Sequence, residues 1–394
     1  PRLSHAWTAA ATLAPARPPS MDAENMLESL AETLFMISAI QGLGYIMARS
    51  GMLSDSNFSG IGFFVGAVAL PCIFFRALAT LPLGGINWTL VAAVTGAKLI
   101  CFLLAAALAR LLTKTTDREG TTLALSGVMA LCATMSDDIG LGLPVMTALY
   151  PAGSDGNSLV QMLYVLSALQ ALTLNPAGYV LLGFGAARAS GNSAVELDEV
   201  NAGAASSANA SRVAPQTSTK VVGGVLRGLA KNMLILSSLA GLAFNLFAAL
   251  FNSKGFGQDL PWFLDQPIEL LARAFAPCVL YLAGAATFGS FTELGSVRSA
   301  ALPALLVLLK SLVLPFTIRA LLLAAGSGAA ESNFGFIYGM LPCANVVLVI
   351  ARSYKLRQEL QTSTSAYLAL GKMLCFPLLF LAALIAYVGS NREA

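Results

Sequence analysis

The stretch Ala133-Thr134-Met135-Ser136-Asp137-Asp138-Ile139-Gly140-Leu141-Gly142-Leu143-Pro144 sits inside an apolar run from about Thr121 to Tyr150. The run is long enough to cross a bilayer, which takes about 20 residues. A charge at bilayer depth costs several kcal/mol, so the carboxylates of Asp137 and Asp138 must face a cavity or a partner. Gly140, Gly142 and Pro144 weaken the helix where those carboxylates lie. Irregular backbone at that depth survives only where protein or a water-filled cavity surrounds it. The stretch therefore predicts a broken membrane helix with ionisable side chains at the break.

The rest of the composition agrees with a membrane setting. Of 394 residues, 57% are hydrophobic and 11% charged, against about 25% charged in soluble domains. Mean hydropathy is +0.74. Charges gather in short gaps between long apolar runs, and the period-2 alternation of a membrane barrel is missing. The net charge of +3 carries little information, whereas its distribution does. Cys72, Cys101, Cys132, Cys278, Cys343 and Cys375 fall singly within apolar runs and read as small buried hydrophobes. The lone histidine is His5, so neither a metal site nor histidine-based catalysis is expected.

Ten apolar spans are expected, at roughly 28–48, 57–79, 87–112, 121–150, 157–187, 221–250, 262–289, 299–325, 331–353 and 362–389. Trp88 and Trp262 fall near span starts, where indoles favour the interface. Residues 1–25 read as a disordered tail or as residues upstream of the true start at Met21. Residues 26–188 form the first five spans and 221–390 the second five. Between them 189–220, rich in Ala, Ser and Asn, reads as a disordered polar linker.

Loops after odd-numbered spans carry Arg49, Arg110, Lys114, Arg118, Arg188, Arg212, Lys220, Arg298, Arg352, Lys355 and Arg357. The other side holds Arg2, Arg17, Lys254 and Arg392. The positive-inside rule places the odd loops, with the linker, in the cytoplasm and both termini outside it. The membrane itself, plasma membrane or an endomembrane such as ER, vacuole or lysosome, is left open.

The two halves echo each other. Pro71-Cys72 recurs as Pro277-Cys278 at an offset of 206, and Lys98 matches Lys310 at 212. Pro144 pairs with Pro342 at 198, Pro176 with Pro377 at 201, and Gly42-Leu43 with Gly241-Leu242 at 199. Five spans per repeat is an odd number, so the halves must have opposite orientation. The expected fold is an all-α polytopic membrane protein of ten helices, a 5+5 inverted repeat with crossed, broken helices 4 and 9. That is the plan of secondary transporters, with the site at the midplane between repeats. Crossed breaks would aim half-helix N-termini at the site, which suits an anion.

The run from Gly44 to Arg49, Ser136-Asp137-Asp138 through Leu143-Pro144 to Tyr150, Leu174-Asn175-Pro176-Ala177-Gly178, Lys310 to Pro315, and Tyr338 to Pro342 together resemble the auxin efflux carrier family. That family comprises PIN, PIN-like and bacterial malonate-type carriers. The chain looks most similar to a branch in which a PIN-like carrier is fused to a receptor-like domain. The resemblance implies a scaffold of helices 1, 2, 6 and 7, a moving unit from the rest, an elevator-like mechanism and a homodimer through the scaffold. It implies small organic anions such as auxin as substrates. Carried over by position, the site would involve Ser136, Asp137, Asp138, Pro144, Pro342 and Asn345, with Lys98 as a supporting charge; the breaks themselves add Gly140 and Ala344 to the candidate substrate-binding residues, and the repeat adds Lys310 as a second supporting charge. Auxin carriers place an asparagine where this chain has Asp137 or Asp138, so charge balance is expected to differ here.

Adjacent carboxylates titrate as a coupled pair, which makes Asp137 and Asp138 a proton or sodium handle. Lys98 lies mid-span and is expected to pair with one of them; Lys372, deep in the tenth span, is open to the same reading. Arg76 is expected to snorkel. Glu331 reads as an N-terminal helix acid and Asn175 as a kink or cavity residue. No nucleophile–base pair, phosphate loop or nucleic-acid-binding pattern is present, so no enzyme, cofactor or nucleic-acid partner is expected. Two further readings stand beside the anion carrier. One is a sodium/proton-coupled antiporter using Asp137/Asp138; the other is a non-transporting sensor of a membrane lipid or sterol.

Overall fold

A computed structural model describes residues 23–113, 119–150, 156–189, 223–224, 227–228, 230–251, 260–288, 297–353 and 358–393. The tail before residue 23 and linker residues 190–220 lie outside this set. So do the charged loop residues Lys114, Arg118 and Lys355. Among the described residues all regular structure is helical.

In chain order the helices are α1 (Ala23–Arg49), α2 (Asp55–Phe64), α3 (Leu70–Ala79), α4 (Trp88–Thr113), α5 (Glu119–Thr134) and α6 (Leu143–Leu149). Then come α7 (Gly156–Leu172), α8 (Leu174–Ala189), α9 (Met233–Phe251), α10 (Trp262–Arg273) and α11 (Phe275–Thr287). The last are α12 (Val297–Leu308), α13 (Leu314–Ala324), α14 (Ala329–Met340), α15 (Val346–Ser353) and α16 (Gln358–Glu393).

Among the described residues three π turns, Val65–Ala69, Asp138–Gly142 and Leu309–Val313, interrupt these helices. Each is followed by a Leu-Pro pair opening the next helix, at Pro71, Pro144 and Pro315. The reason is local. Proline lacks an N–H and clashes with the carbonyl four residues back, and widening one turn relieves both faults without ending the helix.

Among the described residues eight helical stretches are long and apolar enough to cross a membrane. They cover the expected spans one to five, seven, eight and ten. The expected sixth span, 221–250, appears as the shorter apolar helix α9, and the ninth, 331–353, as two short helices, α14 and α15. The protein is a multi-pass integral membrane protein. Its outer face agrees: Phe35, Leu250 and Trp262 are among the most exposed large apolar side chains, positions that lipid would cover.

Helices in lipid gain little from apolar burial against one another and rely on close packing. The α1–α11 crossing shows this. A Cβ on Gly44 would fall on the Tyr281 carbonyl oxygen, and one on Gly284 on the Gln41 carbonyl oxygen. The two backbones thus touch where either helix shows only hydrogen. Elsewhere α5 packs along α8 and α4, α3 along α9 and α10, and α13 along α14. The largest buried cluster joins α1, α4, α6, α7, α13, α14 and α16, with Phe334, Phe336 and Tyr338 fully enclosed. A second cluster joins α4, α5, α8, α12, α15 and α16.

Candidate functional site

The break after α5 begins at Met135 and passes into the π turn Asp138–Gly142. The break after α14 runs from Leu341 through Asn345. The two breaks touch: the Asp137 N–H donates to the Pro342 carbonyl oxygen at 2.9 Å. A backbone bond between two broken helices satisfies groups that each helix has released, which hydrocarbon would otherwise penalise.

Asp137 holds its own turn together. Its carboxylate Oδ1 accepts from the Gly140 N–H at 3.2 Å, and its carbonyl accepts from Gly142 N–H at 2.8 Å. A Cβ at Gly140 would lie 2.6 Å from Asp137 Oδ1 and 3.1 Å from Val279 Cγ1, so a larger residue there would push the Asp137 carboxylate off its bond to the turn. Pro144 opens α6 directly below.

Asp138 is buried, and Ser167 Oγ donates to its Oδ2 at 2.5 Å. Its other oxygen, Oδ1, is buried with no hydrogen-bond partner. Leaving such an atom unsatisfied costs about 1–3 kcal/mol, more for a charged group, so this oxygen is open to a further partner. Ser136 is buried and accepts from Lys310 Nζ at 2.5 Å.

Lys98 is buried but does not pair with either aspartate. It donates to Tyr338 OH at 2.5 Å and to the Gln170 side-chain carbonyl, with Gln170 Nε2 passing on to Asn175 Oδ1 at 3.3 Å. The expected direct pairing is therefore corrected: the Tyr338 phenol stands between, facing Asp138 and Ser136 as well. Asn175, read as a kink or cavity residue, is part of this polar chain. Lys372, from α16, faces Asp137 and donates to the Ala283 carbonyl at 3.3 Å.

Of the ten site residues singled out from sequence, Ser136, Asp137 and Pro342 meet at the crossing, Gly140 and Pro144 shape it, and Lys98, Lys310 and Asp138 flank it. Ala344 and Asn345 are half-buried beyond Pro342, and the Asn345 carbonyl accepts from Leu348 N–H at 3.1 Å. Gly339 lies inside α14, and the break follows it at Leu341 and Pro342. Sequence reasoning missed Ser167, Gln170 and Tyr338. Their only signal was polar character in an apolar span. It also treated the cysteines as isolated, whereas Cys132 and Cys343 come together beside Tyr367, whose hydroxyl donates to the Cys132 carbonyl at 2.7 Å.

Arg76 does not snorkel. It forms an ion pair with Asp265 at 2.6 Å and a longer one with Glu269 at 3.4 Å, tying α3 to α10. Glu331 sits in the first turn of α14 and also accepts from Asn87 Nδ2 at 3.4 Å.

Comparison with known proteins follows the same line. The chain is 26% identical over 353 residues to the lysosomal cholesterol signaling protein of Mus musculus. The similarity covers 88% of this chain but 36% of that relative, so the chain spans about a third of its length. Residues 27–381 match the family described as membrane transport protein. With nearly all of its helices inside that match, the chain belongs to this membrane transport family, the auxin efflux carrier-like proteins.

Proposed function

We propose that the chain is a secondary transporter of small organic anions, working by elevator-type alternating access around the crossing of its fourth and ninth spans. The observation that carries this reading is the Asp137 N–H···O Pro342 bond, with three lysines around two carboxylates. Counted as ionised, Lys98, Lys310 and Lys372 exceed Asp137 and Asp138 by one positive charge, which an anion would complete. Half-helix N-termini at residues 138 and 346 add positive dipole ends beside it.

Ten helices in two inverted sets of five fit the order of elements, with α9 as the sixth and α14–α15 as the ninth. The packing is consistent with the division of labour. Helices α1, α3, α9, α10 and α11 contact one another and would form the scaffold, through which two copies dimerise. Helices α4 to α8 and α12 to α16 would move. Asn345 and the free oxygen of Asp138 would contact substrate or a coupling cation.

The test is flux of a panel of small organic anions into proteoliposomes, wild type beside Asp138→Asn. Saturable uptake lost in the variant supports the reading. Sodium-driven pH change without any organic anion would instead favour an antiporter. A sterol reading is prompted by the name of the mouse relative, and it predicts saturable sterol binding with no solute flux.

A further inference from the structure

Among the described residues three buried side-chain atoms lack a hydrogen-bond partner: Asp138 Oδ1, Gln161 Oε1 and Ser332 Oγ. The first belongs to a carboxylate and is the costliest of them to leave unmet. Asp138 is 6% exposed, and its other oxygen accepts from Ser167 Oγ at 2.5 Å. That length is typical of a hydroxyl donating to an ionised carboxylate, so Asp138 is held as an anion that only accepts. No lysine among the described residues comes within ion-pair distance of it. The Tyr338 hydroxyl faces the same carboxylate but makes no hydrogen bond to this oxygen. One acceptor is left over.

A complementary group is held on the same stretch of chain. Lys310, 2% exposed in the π turn Leu309–Val313, donates to Ser136 Oγ at 2.5 Å. An ammonium carries three N–H donors, and among the described residues this is its one hydrogen bond. Ser136 and Asp138 are two residues apart, so their Cα atoms lie within about 7 Å of each other. A spare cationic donor and a spare anionic acceptor thus meet on three consecutive residues of the first break.

These two groups define what fits between them. Counted as ionised, Lys98, Lys310 and Lys372 exceed the two aspartates by one positive charge, so the guest is a net anion. It must also bring an O–H or N–H to Asp138 Oδ1. A metal cation adds positive charge and takes about six oxygens, where one is free. A zwitterionic amino acid supplies a donor but no net charge. A carboxylate without a hydroxyl supplies the charge but no donor. A hydroxycarboxylate supplies both.

We propose that the site takes a small hydroxycarboxylate, its carboxylate on Lys310 and its hydroxyl donating to Asp138 Oδ1. This rests on the carrier reading above and sharpens it from organic anions at large to hydroxylated ones, with Asp138 as the residue that selects them.

The experiment is ligand-induced stabilisation of the purified full chain in detergent, read as the concentration needed for a fixed rise in melting temperature. Matched pairs are compared, lactate with propionate and mandelate with phenylacetate. Wild type is expected to need about 10- to 100-fold less of the hydroxylated member, the scale of one hydrogen bond to a charged group. Asp138→Ala should abolish that preference, and the milder Asp138→Asn should narrow it. Ser167→Ala keeps the Asp138 charge and should keep the preference, which separates hydroxyl recognition from general damage at the break. Lys310→Met should weaken both members of a pair alike. Equal stabilisation by the two members in wild type overturns the proposal, as does a preference that survives Asp138→Ala or indifference to every compound. Binding is read without transport, so hydroxylated anions that stabilise the chain but do not enter proteoliposomes would count against the carrier reading alone.

Discussion

Two groups of charged side chains lie within the helical bundle, and they satisfy themselves in opposite ways. At the α3–α10 contact Arg76, Asp265, Glu269 and Arg273 pair directly, at 2.5 to 3.4 Å, and remain partly exposed. At the crossing of the broken helices the three lysines reach neutral groups instead: Tyr338 and Gln170, Ser136, and the Ala283 carbonyl. Among the described residues no lysine lies within ion-pair distance of Asp137 or Asp138. A directly paired group is closed to newcomers, since its charge is already spent on a neighbour. Charges held apart by hydroxyls and amides keep their field available, at a cost in stability that a purely structural element would avoid. On the proposed reading, the difference separates a fastener from a receptive site.

The largest expected effect is at the crossing. Asp138→Asn should lower flux of any transported anion by about 100-fold, the scale of breaking a buried charge network, as measured by uptake into proteoliposomes. Equal flux in the variant would erase the contrast between the two groups. Next is the α1–α11 crossing, where Gly284→Val places side-chain atoms on the Gln41 carbonyl. Overpacking typically costs about 1–3 kcal/mol, so a lower melting temperature in detergent is expected, with greater loss if the helices separate.

Tyr338→Phe sharpens the comparison, because it keeps the ring stacked on Phe334 and deletes only the hydroxyl that Lys98 contacts. Flux should fall about tenfold, in line with the loss of one hydrogen bond to a charged group, with a melting temperature close to wild type. The smallest effect is expected at the outer group. Arg76→Met removes a part-exposed pair worth roughly 0–1 kcal/mol, so flux should stay within about twofold of wild type. A loss comparable to that of Asp138→Asn would show that the outer group does more than fasten α3 to α10.

Much of this was legible in the chain itself. Apolar runs located the membrane helices, because length and hydrophobicity are local properties. Asp137, Asp138, Gly140 and Pro144 announced the first break, since acids and helix breakers conflict with a lipid-facing helix. Pro342 announced the second, and the expectation of matched halves had the two breaks meet, as the Asp137 N–H bond to the Pro342 carbonyl does. What stayed hidden depends on long-range placement. Tyr338 and Gln170 look like ordinary polar residues of apolar spans until α14 and α7 bring them to Lys98. Lys372 was ambiguous, because nothing near it in sequence says that α11 ends beside it. Arg76 looked like a snorkelling residue because its partners lie 189 and 193 positions away.

The central claim is that the crossing is a water-reachable pocket. Its most direct test is the reactivity of Asn345→Cys, in a variant whose six native cysteines are replaced, toward a membrane-impermeant thiol reagent. The account predicts labelling from the aqueous phase and protection by a transported anion. A thiol inert from both sides of the membrane would mean that the crossing is sealed, and no solute could pass through it.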